Sequence, residues 1–210
     1  MIVQAFSVGK FATNCYVAFC EQTRLAVVID PGFDANSEAN RIFKFVEAKS
    51  LTATYILNTH GHPDHICGNV IIKNRYRAPI LVHEEDARLL GERGKQIAET
   101  FGFQHCSPEP DVLLHDGQSV QFGKEVLTVI HTPGHSQGSV SLLGRDEVFS
   151  GDTLFAGSIG RTDLPGGSSS QMISSLRRLK ALREDMIVYP GHGPVTNIGK
   201  ENHSNPFMQF

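Results

Sequence analysis

The chain has 210 residues and a formal net charge of −3, with an isoelectric point near 6.3, so it lacks the basic excess expected of a nucleic-acid-binding protein. Its apolar runs, such as residues 25–29, are too short to span a bilayer, and the first residues lack the charged start and apolar core of an export signal. We therefore expect no nucleic-acid or membrane partner and a cytoplasmic location. A chain of this length can bury about 70% of its unfolded surface, and we expect a single domain over residues 1–210.

The first part of the chain is predicted to be mainly β-structure. Short runs rich in β-branched and aromatic residues predict strands over Ile2 to Val8, Asn14 to Phe19 and Leu25 to Ile29. A helix is predicted from Ser37 to Ala48, because its apolar residues recur on one helical face. Another short strand is predicted from Thr52 to Asn58. This order of elements is typical of an α/β protein.

A seven-residue segment with the sequence THGHPDH follows the last of these strands and concentrates metal-ligand chemistry. His60, His62, Asp64 and His65 supply the nitrogen and oxygen donors that Zn, Fe or Mn accept, and four donors this close can serve two ions. Pro63 stands where a first-turn helical proline belongs, so the segment joins a strand end to a helix start. The first two histidines are two positions apart and point the same way in an extended segment.

The middle of the chain predicts a strand over Ile80 to Val82 and a helix from Glu84 to about Phe101. Gly91 and Gly94 predict a kink or break in that helix. A later helix is predicted around residues 172–182, where methionine and leucine recur at helical spacing and are interpreted as core contacts.

Three later strand ends deliver further candidate ligands. His135 and His192 each follow a predicted strand and a Pro-Gly turn, and Asp152 follows a predicted strand and a glycine. A glycine allows a tight turn without a Cβ penalty, which leaves the next side chain free to reach back over the sheet edge. All candidate ligands thus come from strand ends, which one edge of a sheet sandwich would bring together.

Two segments, residues 104–118 and 154–170, are long and lack periodicity. The second begins two residues after Asp152 and must lie near the candidate metals, and loops of this length in a compact domain are often functional. Arg161 is its only cation. The guanidinium of Arg161 either clamps a substrate carboxylate through two hydrogen bonds or pairs with Asp163.

In the order of these motifs the chain resembles the metallo-β-lactamase fold superfamily over nearly its whole length. An early strand ends in an aspartate, and the HxHxDH block, a single histidine, a single aspartate and a last histidine follow. The resemblance implies an α/β fold built as a four-layer αββα sandwich with a dinuclear site. In that site one metal is held by His60, His62 and His135, the second by Asp64, His65 and His192, Asp152 bridges both, and Asp30 orients ligands without binding metal.

The closest resemblance is to the compact glyoxalase II-like hydrolases, and two segments carry it, residues 151–168 (GDTLFAGSIGRTDLPGGS) and 189–207 (YPGHGPVTNIGKENHSNPF). The large glyoxalase II enzymes hold glutathione partly with a C-terminal helical domain, which we do not expect here. Glutathione specificity therefore stays open. The GRTD segment at residues 160–163 is shared with persulfide dioxygenases, which hold one iron with the equivalents of His60, His135 and Asp152.

The resemblance implies hydrolysis of a small-molecule thioester, such as S-lactoylglutathione, by water that two divalent metal ions activate. Zinc is the first expectation, with iron or manganese as alternatives. Asp64 is expected to orient the attacking water while it binds metal, and Arg161 to bind substrate. The GHGP ending and the full second ligand set favour this hydrolase over two rivals, a mono-iron persulfide dioxygenase and a non-catalytic metal-binding scaffold. The acyl group, the thiol carrier and the oligomeric state remain undetermined.

Overall fold

The structure is a computed structural model that describes residues 1–210, and the first half of the chain forms one six-stranded sheet. Its strands are β1 (Ile2–Val8), β2 (Thr13–Phe19), β3 (Leu25–Ile29), β4 (Thr52–Leu57), β5 (Ile80–His83) and β6 (Val112–Leu114). They lie side by side in chain order. The first three pair antiparallel, whereas β3 to β6 run parallel, so the carboxyl ends of these four strands meet at one edge.

The second half forms another six-stranded sheet and a small hairpin. The strands in chain order are β7 (Ser119–Phe122), β8 (Glu125–His131), β9 (Val140–Leu143), β10 (Glu147–Gly151), β11 (Leu154–Phe155), β12 (Ser158–Ile159), β13 (Ile187–Pro190) and β14 (Thr196–Asn197). The spatial order in the sheet is β14, β13, β10, β9, β8, β7, and β11 pairs with β12 in the hairpin. Within the sheet β10 and β13 are parallel and the other pairs are antiparallel.

Six α-helices and two 3₁₀ helices complete the fold. The α-helices are α1 (Asn36–Ala48), α2 (Pro63–Ile66), α3 (Asn69–Tyr76), α4 (Gly91–Thr100), α5 (Ser169–Lys180) and α6 (Ile198–Ser204). The 3₁₀ helices cover Glu84–Leu89 and Pro206–Met208. None of the helices combines the length and the apolar character that crossing a membrane requires.

Three separate hydrophobic cores define the layers. Because side chains alternate across a strand, Val28 of β3 faces a core shared with α1 and α3, while Val27 faces the second sheet. The middle core lies between the two sheets, and a third core lies between the second sheet and the helices α5 and α6. Two sheets enclosed by two helical layers make a four-layer αββα sandwich, which confirms the predicted fold class.

The predicted helix over residues 84–101 is divided, as its glycines indicated. A 3₁₀ helix ends at Leu89 and α4 begins at Gly91, whose φ is +66°. A Cβ at Gly94 would lie 1.9 Å from the carbonyl oxygen of Leu89, so this close approach requires glycine. The helix predicted after Pro63 is likewise divided into α2 and α3.

The segments over residues 104–118 and 154–170, which lack periodicity, are more structured than the sequence indicates. β6 lies in the first, and β11 and β12 lie in the second. Strands of two or three residues give too short a pattern for periodicity to reveal. The hairpin fixes the start of the second segment beside the candidate metal ligands.

Candidate metal centre

The predicted ligands meet at one edge of the sandwich, where strands of both sheets end. The HxHxDH segment follows β4, and Pro63 occupies the first turn of α2 as predicted. Asp152 directly follows β10, and His192 follows β13. These two strands are parallel neighbours, so their carboxyl ends place both side chains at the same edge. His135 reaches this edge from the turn after β8.

His60, His62 and His135 form the first group of candidate ligands, with one ring nitrogen of each within 4.8 Å of the others. The Nδ1 atom of His62 lies 2.8 Å from Nε2 of His135. His60 and His135 are buried and His62 is half-buried. Three imidazole nitrogens that converge in this way can hold one divalent ion.

Asp64, His65 and His192 form the second group. The Nε2 atoms of His65 and His192 lie 3.3 Å apart. Oδ2 of Asp64 is 3.5 Å from Nε2 of His65 and 3.3 Å from Nε2 of His192. Two nitrogens and one carboxylate oxygen therefore converge on a second position next to the first.

Asp152 lies between the two groups. Its Oδ1 atom is 3.5 Å from Nε2 of His65, while Oδ2 is 3.5 Å from Nε2 of His135 and 3.5 Å from Nε2 of His192. One carboxylate thus contacts members of both groups. This is the position that the resemblance gave to a bridging ligand.

Unpartnered atoms test whether the centre fits metal ions. Nε2 of His60 and Oδ1 of Asp152 are buried and have no hydrogen-bond partner, and such groups are costly unless something binds them. In two other ligands the Nδ1 atom is hydrogen-bonded: His135 Nδ1 donates to the Arg161 carbonyl at 2.8 Å, and His192 Nδ1 donates to the Phe11 carbonyl at 3.1 Å. In these two rings the proton is thus on Nδ1, which leaves the Nε2 lone pair available to a metal. The residues therefore fit two divalent ions.

The protonation of the first group also suits metal binding. Burial, and next to it the charge of His65, lower the pKa of His60 well below its ordinary range. Burial and the charge of His135 lower the pKa of His62 to about 4. Both rings are therefore neutral at pH 7, the form in which imidazole binds a metal.

The second group is dominated by carboxylates. Burial acts to lower the pKa of His65, but the charges of Asp152, Asp64 and Asp30 outweigh it and raise that pKa to about 10. Burial acts to raise the pKa of Asp64, yet the charges of His65 and His192 bring it below its ordinary range. The carboxylates thus attract positive charge, which a proton on His65 or a divalent cation can supply.

Asp30, to which the resemblance gave a ligand-orienting role, contacts His65 and Thr59. Its Oδ2 atom accepts hydrogen bonds from His65 Nδ1 at 3.0 Å and from Thr59 Oγ1 at 2.6 Å, and its Oδ1 atom accepts from the Thr59 amide at 2.8 Å. Thr59 Oγ1 in turn lies 3.1 Å from His60 Nδ1. Asp30 has a φ of +48°, a strained conformation for a non-glycine residue. The side chain thus orients one histidine from each group.

Asp86 is a supporting residue that the sequence analysis missed. This buried carboxylate accepts from the Gly61 amide at 2.8 Å, from Ser136 Oγ at 2.7 Å and from the Gly138 amide at 2.7 Å. Gly61 separates His60 from His62, and the other two donors flank the turn after His135. Asp86 therefore ties together the loops that carry the first ligand group. No motif marks it, because its partners are far away in the chain.

Arg161 lines a cavity of about 1100 Å³ whose floor includes His62, Asp64 and Asp152. Its guanidinium makes two hydrogen bonds to Asp163, both of 2.7 Å, and both side chains are exposed. The pair raises the pKa of Arg161 and lowers that of Asp163 to about 2. The structure thus shows the predicted pairing of Arg161 with Asp163, and Arg161 also lines the cavity.

Comparison with known proteins identifies relatives over the full length of the chain. The family model of the metallo-beta-lactamase superfamily matches residues 8–192. An uncharacterised protein of Mycobacterium leprae is 36% identical over 100% of this chain and 99% of its own length. The hydroxyacylglutathione hydrolase GloC of Haemophilus influenzae is 33% identical over 99% of this chain and 98% of its own length.

Solved structures show the same architecture. The B3 metallo-beta-lactamase BLEG-1 superimposes with a TM-score of 0.91, with 34% identity and 100% of both chains covered. ETHE1 from Myxococcus xanthus gives a TM-score of 0.81 with 32% identity, covering 98% of this chain and 84% of its own. A di-iron-bound form of TTHA1623 gives a TM-score of 0.83 with 33% identity, covering 97% of this chain and 99% of its own. The matched regions include both sheets.

Proposed function

The chain belongs to the metallo-beta-lactamase superfamily, and from this membership and its site we propose that it is a dinuclear metal-dependent hydrolase of small-molecule thioesters, such as S-lactoylglutathione. The observation that carries the proposal is the position of Asp152 between two groups of three candidate ligands. A single ion would use only part of this ligand set. The 33% identity to hydroxyacylglutathione hydrolase GloC supports the choice of substrate class.

Zinc is our first choice for the two ions and iron or manganese the alternatives; when bound, they would lower the pKa of a shared water and polarise the thioester carbonyl. Asp64 would hold the second ion and orient the attacking water. Asp30 and Asp86 keep the histidines in position for the reaction. No side-chain nucleophile is required, and a thiol leaving group, with a pKa of about 8.5, leaves without a strong general acid.

Arg161 is proposed to bind a carboxylate of the thiol carrier. It faces the cavity, but its guanidinium is engaged by Asp163 in the structure. A substrate carboxylate must therefore compete with Asp163 for the same donors. The expected contribution of Arg161 is correspondingly smaller than that of an unpaired arginine.

Persulfide oxidation is the second candidate function, because the GRTD segment at residues 160–163 resembles that of persulfide dioxygenases. In this structure Arg161 contributes its carbonyl to the orientation of His135, a role that does not depend on the reaction type. The second ligand group favours the hydrolase, since one iron would leave Asp64 and His192 without a metal to bind.

The deciding experiment follows S-lactoylglutathione cleavage under anaerobic conditions and, in parallel, oxygen uptake with glutathione persulfide. We expect thioester cleavage without oxygen and no uptake. Oxygen uptake without thioester cleavage would transfer the protein to the dioxygenase class, and neither activity in metal-loaded protein would favour a non-catalytic scaffold. A β-lactam serves as a third substrate, because BLEG-1 is a metallo-beta-lactamase.

A further inference from the structure

The cavity above the candidate metal centre has large apolar side chains in its walls. Phe11, Phe101, Phe155 and Leu164 all line it. Phe11 is 49% exposed and Phe101 is 46% exposed. Covering a large aromatic side chain with an apolar ligand is favourable, and contiguous exposed apolar surface marks binding sites. The walls therefore fit an apolar part of the substrate.

One face of α4 combines this apolar surface with a positive charge. Arg93, Ile97 and Phe101 all line the cavity. They follow one another at intervals of four residues, which places them along one side of the helix. Arg93 lies about 12 Å along the helix axis from Phe101, from a rise of about 1.5 Å per residue. A ligand along this face meets a cation at one end and an aromatic ring at the other.

Arg93 is also the cavity arginine that remains free. Arg161 is held by Asp163, and Arg88 donates to the side-chain oxygen of Gln137. The side chain of Arg93 is exposed and forms no hydrogen bond or ion pair with the protein. A free guanidinium at the wall of a binding cavity can hold a carboxylate or phosphate through two parallel hydrogen bonds without giving up another partner.

We propose that this cavity selects thioesters that join an apolar acyl group of several carbons to an anionic thiol carrier, with the acyl chain against Ile97 and Phe101 and, besides the carboxylate assigned to Arg161, a further carrier anion on Arg93. The inference rests on the proposed thioester hydrolysis and narrows its substrate. A short acyl group such as acetyl would leave the apolar side chains of the walls exposed, whereas a longer apolar chain would cover them.

Binding of unreactive thioethers tests the cavity without catalysis. Isothermal titration of metal-loaded protein compares S-hexylglutathione with S-methylglutathione, which share the carrier and differ by five methylenes. We expect S-hexylglutathione to bind at least about 30-fold more tightly, since one fully buried methylene contributes up to about fourfold, or about 0.8 kcal/mol. Equal affinities would overturn the inference.

Paired variants test whether Phe101 contacts the apolar chain and whether Arg93 binds the carrier anion. Phe101→Ser should reduce the preference for the hexyl compound, whereas Phe207→Ser, at a similarly exposed phenylalanine (49%) outside the cavity, should not. Arg93→Ala should weaken both thioethers by roughly 10-fold or more, the loss of a charge-assisted hydrogen bond. The matched control is Arg145→Ala, an exposed arginine outside the cavity. Unchanged binding of both thioethers by Arg93→Ala would refute the proposed role of Arg93 in binding the carrier anion.

Kinetics with hexanoyl and acetyl thioesters of glutathione separate this inference from the proposed function. A higher kcat/KM for the hexanoyl compound supports both. Hydrolysis of the two at equal kcat/KM would refute the acyl preference and keep the thioesterase. A hexyl preference in the titration without hydrolysis of either thioester would refute the thioesterase and keep the ligand class of the cavity.

Discussion

At the scale of single residues, the carboxylate of Asp152 has an oxygen 3.5 Å from a nitrogen of each of three histidines, drawn from both ligand groups. We expect Asp152→Ala to be the most damaging ligand substitution, because it removes one ligand from both ions at once. Metal content by elemental analysis and the thioesterase rate should both fall. Asp146→Ala, at a surface carboxylate paired with Arg183, is the control. Retained metal together with retained rate would refute the bridging assignment.

Asp86 gives a prediction that separates positioning from general stability. In Asp86→Asn an amide NH₂ replaces one acceptor oxygen, so it faces the N–H of Gly61 or of Gly138, and a buried donor loses its partner. We expect metal affinity, measured by competition with a chelator, to fall roughly 10- to 100-fold, the usual effect of removing a residue that supports metal ligands.

The control for Asp86 is Asp111→Asn. Asp111 also accepts a backbone N–H, from Ile80, and pairs with Lys73, but it lies outside the centre. This substitution should lower the thermal midpoint without changing metal affinity. If both variants lose stability and neither loses metal affinity, Asp86 is a structural residue only.

Arg161→Ala should lower kcat/KM by about tenfold, mainly through KM, because a charge-assisted hydrogen bond contributes at least about 1.5 kcal/mol. Metal content should not change. Asp163→Ala gives the opposite test, since it frees the guanidinium and should lower KM if Arg161 binds the carrier. A second thioester whose carrier has no carboxylate completes the comparison. Equal slowing of both substrates by Arg161→Ala would assign the residue to loop structure.

At the scale of elements, the turns after the strands determine where the ligands lie. Gly191 follows β13, and a Cβ there would be 2.1 Å from Oδ1 of Asp152 and 2.9 Å from Cε1 of His65. Its amide donates to the Gly151 carbonyl at 2.8 Å, which joins the ends of the parallel strands β10 and β13. A glycine is therefore needed here because the backbone packs closely against Asp152 and His65, and not only because it allows a tight turn.

We therefore expect Gly191→Ala to displace Asp152 and to reduce both bound metal and activity at least about tenfold, as ligand displacement at a metal site does. Gly117→Ala is the control for a general glycine effect. Gly117 has a φ of +77° but a Cβ there would meet no atom within 4 Å, so the variant is strained yet should keep its metal. Full metal content in Gly191→Ala would contradict the packing role.

The strands and helices with strong periodicity follow the sequence closely. The predicted strands over residues 2–8 and 25–29 have the same bounds in the structure. The helix predicted from Ser37 begins one residue earlier, at Asn36. Short elements such as β11 and β12, which pair with each other in a local hairpin, escape prediction because two residues give too short a pattern for periodicity to reveal.

At the scale of the whole molecule, the candidate centre joins the two sheets. His60, His62, Asp64 and His65 follow a strand of the first sheet, whereas Asp152 and His192 follow strands of the second. Ions that need ligands from both sheets would bind the folded chain and not the unfolded one. Metal binding should therefore stabilise the complete fold.

We expect elemental analysis of metal-loaded protein to give close to two divalent ions per chain. Removal of the metal by a chelator should lower the thermal midpoint by about 5–10 °C, since free metal at about 100 times its Kd contributes about 2.7 kcal/mol and each kcal/mol shifts a chain of this size by about 2–4 °C. Re-addition of zinc should restore the midpoint. One ion per chain, unchanged in Asp64→Ala or His192→Ala, would contradict the dinuclear assignment.

The sequence by itself determined the ligand types, their order and the superfamily, because the HxHxDH spacing, the Gly-His turns and the apolar periodicities are local properties of the chain. Tertiary structure decided which loops converge. Asp86 reaches partners 25, 50 and 52 residues away, and the cavity is lined by widely separated segments, including α4 and the loop of Leu164. The pairing of Arg161 and the freedom of Arg93 also depend on packing. Such contacts leave no local pattern, since each requires distant strands to end at one edge of the sandwich.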